Sequence, residues 1–161
     1  MHRNVSIVAL FNSKAEVFLV RTVKYPDCWQ PVGGGIEPED ASPEAAAVRE
    51  VGEEIGLKLD ISSIFKVMTL PMDFGEGDVN CFIAEAPDDA HFEIKREEIA
   101  ESGWFALKDA VKLPAYLATA TFLKKLFNVL KKAKAAEAKV SGSAKARLSD
   151  DRGRFHGRSP S

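Results

Sequence analysis

A run of three glycines followed by a glutamate-rich helical segment constrains the fold of this chain more than any other feature. The run is residues 33–35, and the segment from it to Leu57 reads GGGIEPEDASPEAAAVREVGEEIGL. Ser42 is a good N-cap, Pro43 suits the first helical position, and Gly56 is placed to end the helix. The segment therefore predicts a glycine turn that leads into a capped helix.

Three glutamates fall on one face of this predicted helix. Glu50, Glu53 and Glu54 are spaced i, i+3 and i+4, which brings their carboxylates together. The carboxylates repel one another, and the single neighbouring cation, Arg49, cannot neutralise all three. Mg²⁺, or Mn²⁺, can do so, because such cations accept oxygen ligands, keep bound waters and bridge to substrate phosphates. The pattern predicts a site that binds a metal ion and a diphosphate together.

The same segment resembles the signature of the Nudix hydrolases, G-x5-E-x7-R-E-U-x-E-E-x-G-U, where U is aliphatic. Gly35 matches the first glycine, residues 49–51 match R-E-U, and residues 53–57 match the end of the signature. One position departs from it, since the first glutamate of the signature falls on Ala41. Asp40 is expected to take that role after a small loop adjustment, with Glu39 as the alternative.

The resemblance implies a role for each charged residue of the helix. Glu53 and Glu54 would be the main metal ligands, and Glu50 a third ligand or the base that activates water. Arg49 would orient a glutamate carboxylate. A backbone carbonyl of the glycine run, from Gly34 or Gly33, would complete the coordination.

Candidate residues also lie outside the signature. Many Nudix relatives carry a further glutamate before the last strand of the sheet, where this chain has Glu97 and Glu98. Either is a candidate ligand or base, and an exposed loop is the alternative. Arg21 is a weak candidate for a phosphate contact, because it ends a predicted strand near the glycines. Phe74 and Trp29 could stack on a base, although core packing is the alternative for Trp29.

The order of the remaining segments predicts an α+β fold. Strands and helices are mixed without a regular βαβ alternation, which favours a mixed sheet over a doubly wound parallel sheet. The Nudix resemblance implies an α/β/α sandwich around that sheet, with the catalytic helix directly after the glycine run. The predicted strands are Val5–Phe11 and residues 16–21, 64–70, 79–85 and 103–105, and helices are predicted near Lys108 and over residues 114–132.

Length and composition predict one domain and a tail. A chain of 161 residues with 45% hydrophobic residues can fill one core. We assign residues 1–132 to the Nudix hydrolase domain. Residues 133–161 are poor in aromatic residues and rich in Ala, Ser, Gly, Lys and Arg, which predicts a disordered basic tail. Such a tail is a solvated end of the chain, a weak polyanion-binding arm or a segment that recruits a partner.

Charge and cysteine content limit the partners. The net charge of −2 gives no general case for nucleic-acid or membrane binding, and no apolar run is long enough to span a bilayer. Two isolated cysteines predict reduced thiols and a cytoplasmic location. The expected partner is a nucleotide-like small molecule, with an RNA 5′ end as the nucleic-acid exception. The sequence leaves the oligomeric state open, a homodimer included.

The predicted activity is magnesium-dependent cleavage of a diphosphate bond in a nucleoside diphosphate derivative. A normal or oxidised nucleoside triphosphate, cut to a monophosphate and pyrophosphate, is the first substrate. The alternatives are a nucleoside diphosphate sugar such as ADP-ribose and the 5′ end of RNA. A Nudix module that senses a nucleotide without cutting it is the alternative from another functional class.

Overall fold

A six-stranded mixed sheet carries the fold within residues 3–156, the part of the chain whose backbone the structure describes. The structure is a computed structural model, and it describes side chains over residues 3–140. The strands are β1 (Val5–Phe11), β2 (Glu16–Thr22), β3 (Val32–Gly35), β4 (Phe65–Pro71), β5 (Asp78–Glu85) and β6 (Ile99–Ala106). The helices are α1 (Pro43–Ile55), α2 (Leu107–Ala110) and α3 (Leu117–His156), with a 3₁₀ turn at Ile61–Ser63.

The strand order is β4-β5-β1-β2-β6, and β3 pairs with β1 beside this path. The pairing of β1 with β5 is parallel, whereas the other pairings are antiparallel. The predicted α+β class with a mixed sheet is therefore confirmed.

The glycine run departs from its prediction. Residues 33–35 do not form a turn, because they pair with β1 as part of β3, with Ser6 opposite Gly34. A Cβ on Gly33 would lie 2.1 Å from the backbone oxygen of Ser6, so the two strands approach too closely for any other residue at that position. The glycines therefore permit the close pairing of β3 with β1, a short distance along the chain before α1.

The side chains of β1 alternate between the two faces of the sheet. On one face, Val8 and Leu10 join a buried cluster that includes Val51 and Ile55 of α1. Burial of this apolar face holds α1 against the sheet, at about 25 cal/mol per Å² of apolar surface removed from water. Ile7 belongs to the opposite face of β1 and is also buried. The sheet is thus covered on both faces at β1.

The ends of α1 follow the local signals in the sequence. The side-chain oxygen of Ser42 accepts a hydrogen bond from the Ala45 N–H, and Pro43 begins the helix. Gly56 ends it in the left-handed conformation, with φ of 71°, and donates its N–H to the carbonyl of Gly52. Both caps are confirmed as predicted, which sets the register of the glutamates on α1.

The chain divides into two compact units, Met1–Lys124 and Lys125–Ser161. The first contains the sheet, α1 and α2, and the second is helical as far as His156. Helix α3 continues past residue 132 to His156, in a stretch where Ala, Lys and Glu are strong helix formers, and the disorder of residues 133–161 stays a prediction. Residues 157–161 of the predicted tail lie outside the described residues, and the division at Lys132 stays a prediction. None of the described helices is long and apolar enough to cross a membrane.

Candidate active site

Glu50, Glu53 and Glu54 share one face of α1, but they differ in exposure. Glu54 is buried, the side chain of Glu50 is 14% exposed, and that of Glu53 is 51% exposed. Side-chain exposure thus increases from Glu54 through Glu50 to Glu53. It gives the three carboxylates different chemical properties despite their identical side chains.

Glu54 is the most perturbed of the three. Burial, and then the charge of the neighbouring Glu50, raise the pKa of Glu54 to about 8. The backbone N–H of Gly33 donates a hydrogen bond of 3.0 Å to Glu54 Oε1 and partly opposes this shift. Without a cation beside it, Glu54 is therefore mostly protonated at neutral pH.

Glu50 packs directly against the glycine strand. A Cβ on Gly34 would lie 2.7 Å from the carboxyl carbon of Glu50, so the carboxylate occupies the space that a side chain there would need. Burial raises the pKa of Glu50 above its usual value, while Arg49 opposes that shift. Glu50 is thus a carboxylate with increased basicity, held beside the half-buried glycine strand.

Arg49 connects the helix to the loop before it. Its Nε and Nη2 donate to the two carboxylate oxygens of Asp40 at 3.0 and 2.9 Å. Nη1 donates to Glu50 Oε1 and Glu53 Oε2, each at 3.1 Å, and Nη2 also donates to the carbonyl of Gly35. One guanidinium therefore orients two glutamates, the strand and the loop together.

Asp40 directly precedes Ala41, the position at which the signature has a glutamate. The hydrogen bonds from Arg49 hold the pKa of Asp40 below its usual value, and Asp40 in turn raises the pKa of Arg49. Glu39 is exposed and has no ion pair among the described residues. Of the two candidates, the geometry favours Asp40, which supports Arg49 from outside the carboxylate cluster.

Asp40→Asn should lower kcat by about tenfold, because a misplaced supporting group commonly costs 10–100-fold in activity at metal sites. The amide keeps the size of the side chain but cannot accept two charged hydrogen bonds from Arg49. Steady-state kinetics with Mg²⁺ measures this effect, and Glu39→Gln is the matched control. Equal activities in the two variants would remove Asp40 from the site.

A cavity of about 660 Å³ lies in front of these carboxylates. Its lining includes residues 33–35, Glu50, Glu53 and Glu54, so the structure brings these predicted residues together. Asp40 and Arg49 stand behind the lining.

Glu97 and Glu98 also line the cavity. The loop that carries them is pinned to the end of α1, since the N–H groups of Glu93 and Lys95 donate to the carbonyls of Ile55 and Glu54. The nearby charge of Glu98 contributes to the raised pKa of Glu54. Both residues thus lie at the site, while their role as ligand or base stays a prediction.

Arg21 is not part of the cavity lining. Its guanidinium forms an ion pair with Glu101 and donates to the carbonyl of Pro26. It also lies 5.4 Å from the ring centre of Trp29. These contacts engage Arg21 on the β2–β6 side, and its role as a phosphate contact stays a prediction.

The sequence does not single out four other residues of the cavity wall. Arg3, Lys24, Tyr25 and Tyr116 line the cavity, but they come from the N-terminus, the loop after β2 and the segment before α3. Arg3 packs on the glycine strand, because a Cβ on Gly35 would lie 2.6 Å from its Nη2. No local spacing joins these positions, so only the fold could reveal them.

The donor chemistry fits a hard divalent cation. Within residues 3–140, no three His, Cys, Asp or Glu side chains are arranged closely enough to hold a metal ion as they stand. Arg49 instead contacts Glu50 and Glu53, while burial, and then the charge of neighbouring carboxylates, raises the pKa values of Glu50 and Glu54. Oxygen donors in this electrostatic state suit Mg²⁺ or Mn²⁺.

Glu54 should make the metal-free protein less stable as the pH rises. Its pKa is about 8 in the folded protein against 4.5 ordinarily, so folding favours the protonated form. The stability that this group contributes is complete below about pH 4.5 and is lost as the pH approaches about 8. In EDTA, we expect the free energy of unfolding of wild type, relative to Glu54→Gln, to fall by roughly 3–5 kcal/mol across that range.

Urea unfolding of the two proteins at several pH values measures this difference. Mg²⁺ should stabilise wild type at about pH 8 and stabilise Glu54→Gln less, because a cation that binds only the folded state shifts the equilibrium towards it. A difference that stays constant with pH would show that Glu54 is ionised in the folded protein.

The similarity of this chain to known proteins extends well beyond the glycine and glutamate segment. The NUDIX domain family model matches residues 1–126. Diphosphoinositol polyphosphate phosphohydrolase 3-alpha of Mus musculus is 36% identical over 104 residues, which cover 61% of this chain and 59% of that protein. The chain thus spans about three fifths of that relative's length.

Solved structures share the fold. A MutT NUDIX hydrolase from Burkholderia pseudomallei aligns with a TM-score of 0.65 and 21% identity, covering 77% of this chain and 97% of the other. The NUDIX domain of Shewanella oneidensis NrtR, solved with ADP ribose, aligns with a TM-score of 0.67 and 18% identity, covering 81% and 89%. Because the family match takes in the whole sheet and α1, as the signature segment predicts, this chain belongs to the NUDIX domain family.

Proposed function

We propose that this protein is a magnesium-dependent hydrolase that cleaves a diphosphate bond in a nucleoside diphosphate derivative. One observation carries the proposal: Glu50, Glu53 and Glu54 line a cavity beside a strand made of glycines, and among the described residues Arg49 alone forms ion pairs with Glu50 and Glu53. A cluster of this charge is costly without a cation, and its persistence at a cavity is characteristic of a functional site.

The metal would be held by Glu50, Glu53 and Glu54, with the carbonyl of Gly34 as the proposed backbone ligand. When bound, Mg²⁺ would supply charge neutralisation on the phosphoryl oxygens and a lowered pKa for a coordinated water. Mn²⁺ is the proposed substitute, because it prefers similar oxygen donors.

The chain's own residues would complete the site. Glu50 would be either the third metal ligand or the base that accepts a proton from the attacking water, and the second role suits a carboxylate whose pKa is raised by burial. Arg49, fixed by Asp40, would keep Glu50 and Glu53 in place between turnovers. Glu97 or Glu98 would add a carboxylate from the facing loop.

A nucleoside triphosphate, cleaved to a monophosphate and pyrophosphate, is the first proposed substrate. A nucleoside diphosphate sugar such as ADP-ribose is the runner-up, and the NrtR domain solved with ADP ribose supports it. The name of the similar mouse protein adds a diphosphoinositol polyphosphate. An RNA 5′ end is the fourth candidate. A sensing module that binds a nucleotide without cutting it is the alternative that the retained carboxylates argue against.

Ion-exchange analysis of products tests the proposal. Wild type would be incubated with Mg²⁺ and nucleoside triphosphates, nucleotide sugars, dinucleotides, a 5′-triphosphate RNA and a diphosphoinositol polyphosphate. We expect metal-dependent release of a monophosphate product from at least one nucleotide. Tight nucleotide binding without cleavage of any compound would instead support the sensing module.

A further inference from the structure

Part of the cavity wall is aromatic. Tyr25, Phe74 and Tyr116 all line it, and Tyr116 lies between the other two. The ring centre of Tyr116 is 5.7 Å from that of Tyr25 and 5.4 Å from that of Phe74, with interplanar angles of 85° and 84°. Each edge-to-face pair covers one face of one of its two rings only, so the wall keeps other ring faces on which a planar group can stack.

The outer rings of this aromatic wall are unusually exposed. Phe74 is 66% exposed and Tyr25 is 38% exposed, although both stand beside a cavity in which they could have been buried. Exposed apolar side chains that adjoin a polar site are typical of ligand-binding surfaces. The aromatic wall therefore has apolar surface that is not buried by other parts of the described chain.

Neighbouring contacts fix the aromatic wall in place. Asp73 Oδ1 accepts a hydrogen bond of 2.9 Å from the N–H of Ala118, which ties the loop that carries Phe74 to the start of α3. On the other side, Lys24 Nζ lies 5.5 Å from the ring centre of Tyr25. The rings are thus positioned by three separate segments of the chain.

The charge of the cavity limits what can bind beside these rings. Its described lining contains seven acidic side chains and two basic ones, Arg3 and Lys24. A ring that carries many phosphates needs several cations around it, because each unpaired phosphate would face carboxylates at short range. A substrate with one short phosphate chain, entering with Mg²⁺, meets far less repulsion. The uncharged part of such a substrate can lie on the aromatic wall.

We propose that Tyr25, Phe74 and Tyr116 determine specificity by stacking on a planar aromatic group, such as a nucleobase, at the end of the substrate opposite the cleaved phosphates. The wall thereby selects nucleotide substrates over phosphorylated polyols, including the diphosphoinositol polyphosphates named in the similar mouse protein. This inference rests on the proposed function, because it identifies the non-phosphate half of the same substrate.

Phe74→Ala tests the proposal with the intact chain. Titration calorimetry in Mg²⁺ would compare binding of a non-hydrolysable nucleoside triphosphate with binding of inorganic tripolyphosphate, which lacks the base. We expect the Kd of the nucleotide to rise about tenfold, as base–aromatic stacking predicts, and that of tripolyphosphate to stay unchanged. Phe74→Tyr should restore nucleotide binding, since it keeps the ring.

Phe65→Ala is the matched control, because Phe65 is 62% exposed on β4 and does not line this cavity. It should bind both ligands as wild type does. An equal loss for both ligands in Phe74→Ala, no loss for either, or tighter binding of a diphosphoinositol polyphosphate than of the nucleotide by wild type would overturn the proposal. Absence of turnover with every compound would contradict the proposed hydrolysis, yet leave this binding contrast measurable.

Discussion

Glu53→Gln is expected to lower kcat/KM by about a hundredfold or more. Loss of one carboxylate from a metal site removes several kcal/mol of charge stabilisation, and each 1.4 kcal/mol corresponds to about a factor of ten in rate. The fold should be nearly unaffected, because the Glu53 side chain is half exposed and the amide has the same shape. Its ion pair with Arg49 contributes only about 0.3–0.5 kcal/mol.

Steady-state kinetics over a range of Mg²⁺ concentrations, together with thermal unfolding, measures both effects. Glu44→Gln is the control, since Glu44 lies in the first turn of the same helix and does not line the cavity. We expect the control to keep most of its activity. A Glu53→Gln variant with nearly wild-type turnover would refute the assignment of the site.

Substitutions at two adjacent glycines should have opposite kinds of effect. Gly33→Ala places a Cβ 2.1 Å from the Ser6 oxygen and 2.7 Å from the Cα of Ile7, so backbone must move and the β1–β3 pairing must weaken. We expect a loss of about 3 kcal/mol or more in the free energy of unfolding, or a protein that does not fold.

Gly34→Ala should instead preserve the fold and impair activity. The atoms nearest its new Cβ belong to the Glu50 carboxylate, the end of a flexible side chain that can move aside. That movement would take the proposed base out of position, and misplacement by about 1 Å can cost about a hundredfold in rate. Urea unfolding and kinetics on both variants separate the two effects. Equal loss of stability would show that the glycine strand has only a structural role.

The sequence alone was sufficient for those features that depend on near neighbours along the chain. The caps at Ser42 and Gly56 satisfy backbone groups within one turn of α1, and the spacing of Glu50, Glu53 and Glu54 follows from helical periodicity. Because these effects are local, the helix, its limits and its acidic face were predicted correctly. The resemblance to Nudix hydrolases depended on the same short segment.

Tertiary structure decided the features that join distant segments. The glycine run became a strand because β1 pairs with it, and the hydrogen bonds of Arg49 to Asp40 distinguished that residue from Glu39. The sequence also treated the three glutamates alike, whereas burial against the strand gave Glu54 a pKa of about 8.

The aromatic wall is the clearest feature that the sequence alone does not predict, because its rings come from three segments separated by tens of residues. Phe74 was a stacking candidate in the sequence, but neither tyrosine was. Contacts of this kind depend on how the sheet and helices pack, and no period or motif in one sequence encodes them. The sequence therefore determined the acidic face of the helix, and the packing of the chain decided which side chains line the cavity with it.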